Sequence, residues 1–285
     1  MQVGIISPKR DALRGGRCEE RRQGGFSLRP TRLPEVRFIR EGLYVPSART
    51  LALADVHLGW EETLHDEGTL VPRGHLRAVL ERLEGIVRTL DGRARLERVV
   101  VNGDLRHRFG PWTRQAWREA QEFLDCLQAV ASEVVLVEGN HDEGSLAALA
   151  ERREGVLVRK EYGVDGLWFI HGDRAPEAVP EGVEAIVIGH EHPAVGLRDP
   201  VTGRVETFKC FLVGRYRGRT LVVQPALNPW TLGSDLLREE PLSPLLAEGV
   251  LEGCRVYPLG DDGTVLSFGP FRRLLPGGTG SGVRA

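Results

Sequence analysis

Six of the eight histidines in this 285-residue chain fall inside five short blocks: "ADVHLG" at 54–59, "NGDLRH" at 102–107, "EGNHDE" at 138–143, "IHGD" at 170–173 and "IGHEHP" at 188–193. Each block carries carboxylate, amide or imidazole groups that contribute little to a core. Alone, a tripeptide such as Asn140-His141-Asp142 is ordinarily a turn, because Asn and Asp hydrogen-bond their own backbone, and a single His on a strand is more often structural than a ligand. The conjunction changes that balance. Imidazole with carboxylate and amide oxygen, and without thiolate, suits Mn²⁺, Fe or Zn²⁺ rather than Ca²⁺ or a structural zinc. Asp55, His57, Asp104, Asn140, His171, His190 and His192 make seven donors, too many for one ion and enough for two that share a carboxylate.

The blocks follow apolar runs. "TLAL", "RVVV", "EVVLV", "LWFI" and "AIVI" read as strands, and in open α/β sheets functional residues gather beyond the carboxyl ends of strands. Five strand ends would thus deliver polar side chains to one rim. Between them, Leu76, Val79, Leu80, Leu83, Ile86, Val87 and Leu90 recur at helical spacing, and "TRQAWREAQEFLDCLQAVA" predicts a second amphipathic helix. The β-α-β alternation implies a layered α/β fold, with a strand-rich second half. A final strand pair is expected at Cys254–Tyr257 and Val265–Phe268.

Composition sets limits. With 41% hydrophobic residues and a net charge of -2 the chain can build an ordinary core and is no polycation. The first forty residues hold ten Lys or Arg against four Asp or Glu. Residues 1–34 show neither hydrophobic period and are expected to be a basic tail, disordered or preceding the native start; 35–275 are expected to form the domain and 276–285 a flexible end. Cys18, Cys126, Cys210 and Cys254 lack C-x-x-C spacing, which argues for a reducing setting. No run approaches the ~18 apolar residues of a membrane span, and no signal-peptide pattern is present, so a cytoplasmic location without a membrane partner is expected.

In that order, the five blocks resemble the signature of the calcineurin-like binuclear metallophosphoesterases: D-x-H, G-D-x-x-H or a variant, G-N-H-D/E, an isolated His, and G-H-x-H. The resemblance implies a sandwich of two mixed β-sheets flanked by helices. It implies that Asp55, His57 and His192 hold one ion, that Asn140, His171 and His190 hold the other, and that Asp104 bridges them. His141 would face the scissile phosphate as general acid, and Asp142 would set its orientation. His107 would either touch the phosphate or pack beside the metals.

"ADVHLGWEE", "GDLRH", "GHEHPAV" and "PALNPWTLGSD" further resemble the bacterial and archaeal phosphoesterases related to SbcD nucleases, some of which belong to DNA-repair clusters with an Lhr-type helicase and a DNA ligase. That branch implies a Mn²⁺-dependent endonuclease acting on single-stranded DNA. The chain lacks the long carboxyl-terminal capping region of SbcD, which argues against a processive exonuclease. The competing functions are a small-molecule or nucleotide phosphatase with the same ligands, and a catalytically silent docking scaffold. The complete ligand set speaks against the scaffold.

Arg106, Arg108, Arg114 and Arg118 lie near Trp112 and Trp117. Such a group suits a single-stranded backbone with bases stacked on rings; equally, it suits a solvated helix face with Trp117 in the core. His65 and His75 are expected at the surface or in loops, without a role in the site.

Overall fold

The structure is a computed structural model describing residues 4–5, 35–90, 95–247 and 249–275. The expectations for residues 1–34 and 276–285 lie outside the described residues, apart from Gly4–Ile5.

The first sheet contains β1 (Gly4–Ile5), β2 (Arg37–Ile39), β3 (Gly42–Val45), β4 (Thr50–Leu53), β5 (Leu96–Asn102), β6 (Ala131–Val137) and β7 (Val156–Arg159), in that spatial order. β1 to β4 pair antiparallel, and β4 to β7 pair parallel. A parallel pair needs a crossover. Helices α1 (Trp60–Asp66) and α2 (His75–Thr89) connect β4 to β5, and α3 (Arg114–Val130) connects β5 to β6; the short α4 (Ala147–Ala150) precedes β7.

The second sheet is built from β8 (Tyr162–Val164), β9 (Leu167–Phe169), β10 (Ala185–Ile188), β11 (Pro193–Arg198), β12 (Val205–Tyr216), β13 (Arg219–Val223), β14 (Ser234–Asp235), β15 (Arg255–Pro258) and β16 (Gly269–Pro270). Its main path runs β14-β11-β12-β13-β10-β9-β8, with β15 on β12 and β16 on β15. The expected strand at Val265–Phe268 is not formed. Val265 makes only an isolated bridge to Leu259, and the partner of β15 is Gly269–Pro270.

Successive side chains of a strand point to opposite faces, and these strands, buried on both faces, feed two cores each. Val99 and Val101 of β5, and Val134 and Leu136 of β6, join Leu83, Ile86, Phe123 and Leu127 under the helices. Val100 and Val135 face the other way, meeting Phe169, Val187 and Val222 between the sheets. There Phe38 and Phe211 stack with centroids 4.1 Å apart. Ile186 and Ile188 point outward onto a third cluster with Leu245, Leu251 and Phe271, covered by α5 (Val250–Gly253) and two short 3₁₀ turns. The result is a mixed α/β sandwich of two sheets with helices on its outer faces, the architecture that the resemblance implies.

Two buried amides fasten the sheets at the rim. Asn102 donates to the Val187 carbonyl at 3.2 Å, and Gln224 donates to the Ala52 carbonyl at 3.1 Å. Among the described residues no helix is long and apolar enough to cross a membrane.

Candidate metal centre

β4, β5 and β6 are parallel neighbours, so their carboxyl ends share an edge of the first sheet. β9 and β10 are parallel neighbours in the second. The chain beyond β4 is tied to both: Asp55 N–H donates to the Gly103 carbonyl, and the Asp55 carboxylate accepts the His190 N–H at 3.1 Å. The five blocks therefore meet at one rim.

Two donor sets that combine carboxylate with imidazole form there, beside a third group of imidazoles alone, His57, His107 and His141. Asp55, His57 and His192 make one, with His57 Nε2 3.1 Å from His192 Nε2 and His192 Nε2 3.5 Å from Asp55 Oδ1. Asp104, His171 and His190 make the other, with His171 Nε2 3.3 Å from Asp104 Oδ2 and 3.2 Å from His190 Nδ1. Asn140 Oδ1 lies 3.0 Å from His171 Nε2. Asp104 Oδ2 also reaches to 3.8 Å of His57 Nε2, so it stands between the sets.

These donors fit divalent ions. Ligands ~2.1 Å from one ion stand roughly 3.0 to 3.4 Å apart, which matches the closest spacings here. Facing imine nitrogens of two neutral histidines repel unless a cation or proton lies between them. The backbone agrees: Asp55, His57, Asp104, His190 and His192 all have φ between 46° and 62°, a left-handed conformation costing about 1–3 kcal/mol each that the fold must over-determine. Strain gathered on five donor residues marks a site rather than a defect.

Two glycines make room. A Cβ on Gly139 would lie 2.2 Å from Asp104 Oδ1 and 2.5 Å from the Asp104 nitrogen, and one on Gly103, where φ is 86°, would lie 1.9 Å from His171 Nδ1. Gly139→Ala is expected to displace Asp104 and remove most bound metal while the protein still folds, at a cost of about 1–3 kcal/mol in stability. Metal analysis together with thermal unfolding checks this; a variant that keeps a full metal complement would show that the clash relaxes elsewhere.

Protonation of the metal-free site follows from the same contacts. Burial opposes charge on His171, but the hydrogen bond and charge of Asp104 prevail and push the imidazole up to about 9. Against burial, which works to raise it, His171 holds Asp104 below the usual carboxylate range. Burial lowers His57 and His190. At pH 7 the pair His171–Asp104 therefore keeps a proton that an ion must displace. The folded value lies above the ~6.5 of free His, so the pair stabilises metal-free protein fully below pH 6.5 and loses that contribution as pH rises through about 9. Apparent metal affinity at this set should rise about tenfold per pH unit up to about 9, with release of about one proton at pH 7. Calorimetric titration in two buffers of different ionisation enthalpy measures that proton; none released would contradict the protonated pair.

His141 is half-buried beside the centre. Its backbone N–H donates to Asp104 Oδ1 at 3.0 Å, and its Nε2 lies 3.9 Å from Asp104 Oδ2. Its Nδ1 contacts the His107 carbonyl. A carbonyl only accepts, so Nδ1 carries a hydrogen, and Nε2 is the atom left to exchange a proton with substrate. The expectation that Asp142 orients this ring is corrected. The buried Asp142 carboxylate accepts the N–H groups of Leu105, Arg106 and Gly139 at 3.1 to 3.3 Å; it clasps two loops together. Burial, reinforced by Asp104, raises it to about 7 despite those bonds.

His107 stacks on Trp60 with centroids 4.3 Å apart and lies with Nδ1 3.4 Å from His57 Nδ1. Burial, with His141, lowers it to about 4, so it is neutral at pH 7.

The arginine–tryptophan group separates. Arg106 is buried, donates to the His141 carbonyl at 2.9 Å and to the Gly110 carbonyl, and lies over Trp112; it fastens the loops of the site and does not face solvent. Trp112 donates to the Ser145 carbonyl at 2.8 Å and packs edge-on against Trp117 on the helix-side core. Both are corrected from nucleic-acid contacts to structural residues. Arg108, Arg114 and Arg118 are exposed, Arg108 paired with Asp66.

Several residues escape the sequence. His75 is fully buried, its Nε2 2.9 Å from Asn228 Oδ1, and not at the surface. Asn228 N–H bonds the Asp55 carbonyl, and the half-buried Lys209 donates its ammonium to the carbonyls of Ala226 and Asn228, with desolvation lowering it to about 8. Glu191, between His190 and His192, accepts the Ser243 N–H at 2.8 Å. In the sequence "PALNPW" enters only through the resemblance to the SbcD-related phosphoesterases, and nothing singles out Asn228, Lys209 or Glu191.

The model of the family described as calcineurin-like phosphoesterase matches residues 48–174, a span that includes Asp55, Asp104, Asn140 and His171 and stops before His190. No curated protein matches the chain. Among solved structures, the nuclease MPE of Pseudomonas putida superposes with a TM-score of 0.55 at 22% identity, over 83% of this chain and 96% of that one. Yfce, a phosphoesterase from E. coli, gives a TM-score of 0.36 at 15% identity over 76% of this chain and 96% of that one. The family match takes in four of the five strand ends and the sandwich fold is shared with the Pseudomonas putida structure, so residues 48–174 carry a calcineurin-like phosphoesterase domain and the centre is that of a metallophosphoesterase enzyme.

Proposed function

We propose that the enzyme is a DNA endonuclease that prefers single strands, works with two divalent ions, Mn²⁺ foremost, and acts in the cytoplasm in DNA repair, in functional association with an Lhr-type helicase and a DNA ligase. The observation that carries the substrate class is the open rim. The intervals from Asp55 to Asp104 to Asn140 to His171 to His190 are 49, 36, 31 and 19 residues, and among the described residues they are taken up by the strands and helices of the sandwich. Among the described residues no cap domain is inserted between these blocks. A polymer can cross such a rim, and an unpaired strand bends an internal phosphate into it at little cost, whereas duplex DNA must first be deformed. The name of the Pseudomonas putida neighbour, a nuclease, agrees with this substrate.

Asp55, His57 and His192 would hold one ion, Asn140, His171 and His190 the other, with Asp104 shared. Bound there, the ions would lower the pKa of water and polarise a phosphoryl oxygen. The chain's own groups do the rest. The His107 carbonyl fixes the His141 tautomer, and His141 Nε2 delivers a proton to the leaving oxygen. Neutral His107, one ring away, is placed to touch a non-bridging phosphate oxygen.

The test incubates the enzyme and Mn²⁺ with closed circular single-stranded DNA, linear duplex DNA, nucleotides and phosphomonoesters in parallel. A circle has no ends, so its cleavage is endonucleolytic by necessity. An intact circle beside rapid phosphate release from monoesters would replace the nuclease with a phosphatase.

A further inference from the structure

Next to the two carboxylate-bearing donor sets runs a column of stacked rings. Phe109 lies on His141 with centroids 4.0 Å apart and planes at 28°, His141 faces His107 at 5.7 Å and 19°, and His107 lies on Trp60 at 4.3 Å and 18°. His57 stands edge-on to the last three, at 73° to 89°. The far end of the column passes from Trp60 to the buried His75 and then to Trp230, which meets His75 edge-on at 71° and so does not continue the stack.

The Phe109 end is different. One face covers His141, yet the side chain is 60% exposed, so its other face is open. A single exposed ring is ordinary on a protein surface; what sets Phe109 apart is that its covered face lies on His141 beside the donor sets. Its loop is also fixed in advance: Arg106 joins the His141 and Gly110 carbonyls and lies over Trp112, which in turn bonds the Ser145 carbonyl. A rigid, flat, open ring beside the proton donor is a stacking platform.

Building on the nuclease reading above, we propose that Phe109 is a nucleobase shelf: a base of the single strand stacks on its open face and extends the column, which sets the adjoining phosphate at His141 Nε2 and the metal donors. A base lies one sugar away from its own phosphate, as the open face of Phe109 lies one ring away from His141. Stacking is indifferent to base identity, so the shelf selects unpaired, unstacked strands without selecting sequence. A base still held in a duplex is not free to use it. The shelf also replaces Trp112 and Trp117, whose faces are taken up by the fold.

The experiment compares wild type, Phe109→Ala and Phe109→Trp on a labelled oligodeoxynucleotide with one preferred cut, and on versions carrying a single abasic residue on either side of that cut. Binding of the intact strand is read in parallel by fluorescence anisotropy with Ca²⁺ in place of the activating ion. For wild type, the abasic residue on one side should slow cleavage roughly ten- to hundredfold. Phe109→Ala should show a similar loss of cleavage and binding on the intact strand, no further loss from the abasic residue, and Phe109→Trp should restore both. The shelf is overturned if Phe109→Ala remains as sensitive to the abasic residue as wild type, or if it binds and cuts the intact strand normally. If wild type leaves every strand whole while hydrolysing phosphomonoesters, the nuclease reading itself fails and the shelf with it.

Discussion

Asp104→Ala is expected to abolish turnover, by about 10³-fold or more, on every phosphate ester. Asp104 is the carboxylate that reaches both donor sets, at 3.3 Å from His171 Nε2 and 3.8 Å from His57 Nε2, and its other oxygen holds the His141 backbone at 3.0 Å. On the proposed two-ion reading its loss removes the shared ligand and loosens the backbone of the proposed proton donor, His141, at once. A metal pair contributes several kcal/mol of transition-state stabilisation, and each ~1.4 kcal/mol is tenfold in rate. The fold should survive, because the cores beneath the helices and between the sheets do not depend on this side chain. Rates on DNA and on bis(p-nitrophenyl) phosphate, with circular dichroism for folding, check this. Near-normal turnover by a folded variant would remove Asp104 from the centre.

His141→Ala should behave differently on different substrates. A deoxyribose leaving group departs as a poor alkoxide unless it is protonated, whereas p-nitrophenolate leaves unaided. General acid catalysis is worth about 10²- to 10⁴-fold, so the variant should lose that much on DNA and less than about tenfold on the aryl ester. Removing the ring also uncovers one face of Phe109, which costs some binding on DNA; kcat at saturating DNA separates the two contributions. Equal losses on both substrates would show that His141 positions or stabilises the phosphate and does not protonate the leaving group.

The blocks were legible because strand ends are legible. "RVVVNGD" and "EVVLVEGNHD" are apolar runs that stop at polar residues, and a run buried on both faces must be a central strand, so its last residues emerge at a sheet edge whatever the rest does. Helices α2 and α3 were equally plain from apolar spacing. What escaped depends on neighbours far along the chain. Lys209 is a single charge in a strand, and only the loop at Ala226–Asn228 shows what its ammonium bonds. Asp142 follows His141 directly, yet its carboxylate serves Leu105 and Arg106, 37 and 36 residues earlier. Trp112 and Phe109 sit three residues apart in one loop; which of them packs inward and which stays open is decided by Arg106 and Ser145, not by local pattern.

The central claim is that five strand ends build one centre for two ions that share Asp104. The most direct measurement is electron paramagnetic resonance of protein titrated with Mn²⁺, combined with metal analysis of the loaded sample. The account predicts two ions per chain with the multiline spectrum of an exchange-coupled pair, as expected for ions about 3.5–4 Å apart, and loss of that coupling in Asp104→Ala. A single tight ion per chain, or two ions whose spectra stay uncoupled in the wild-type protein, would contradict it.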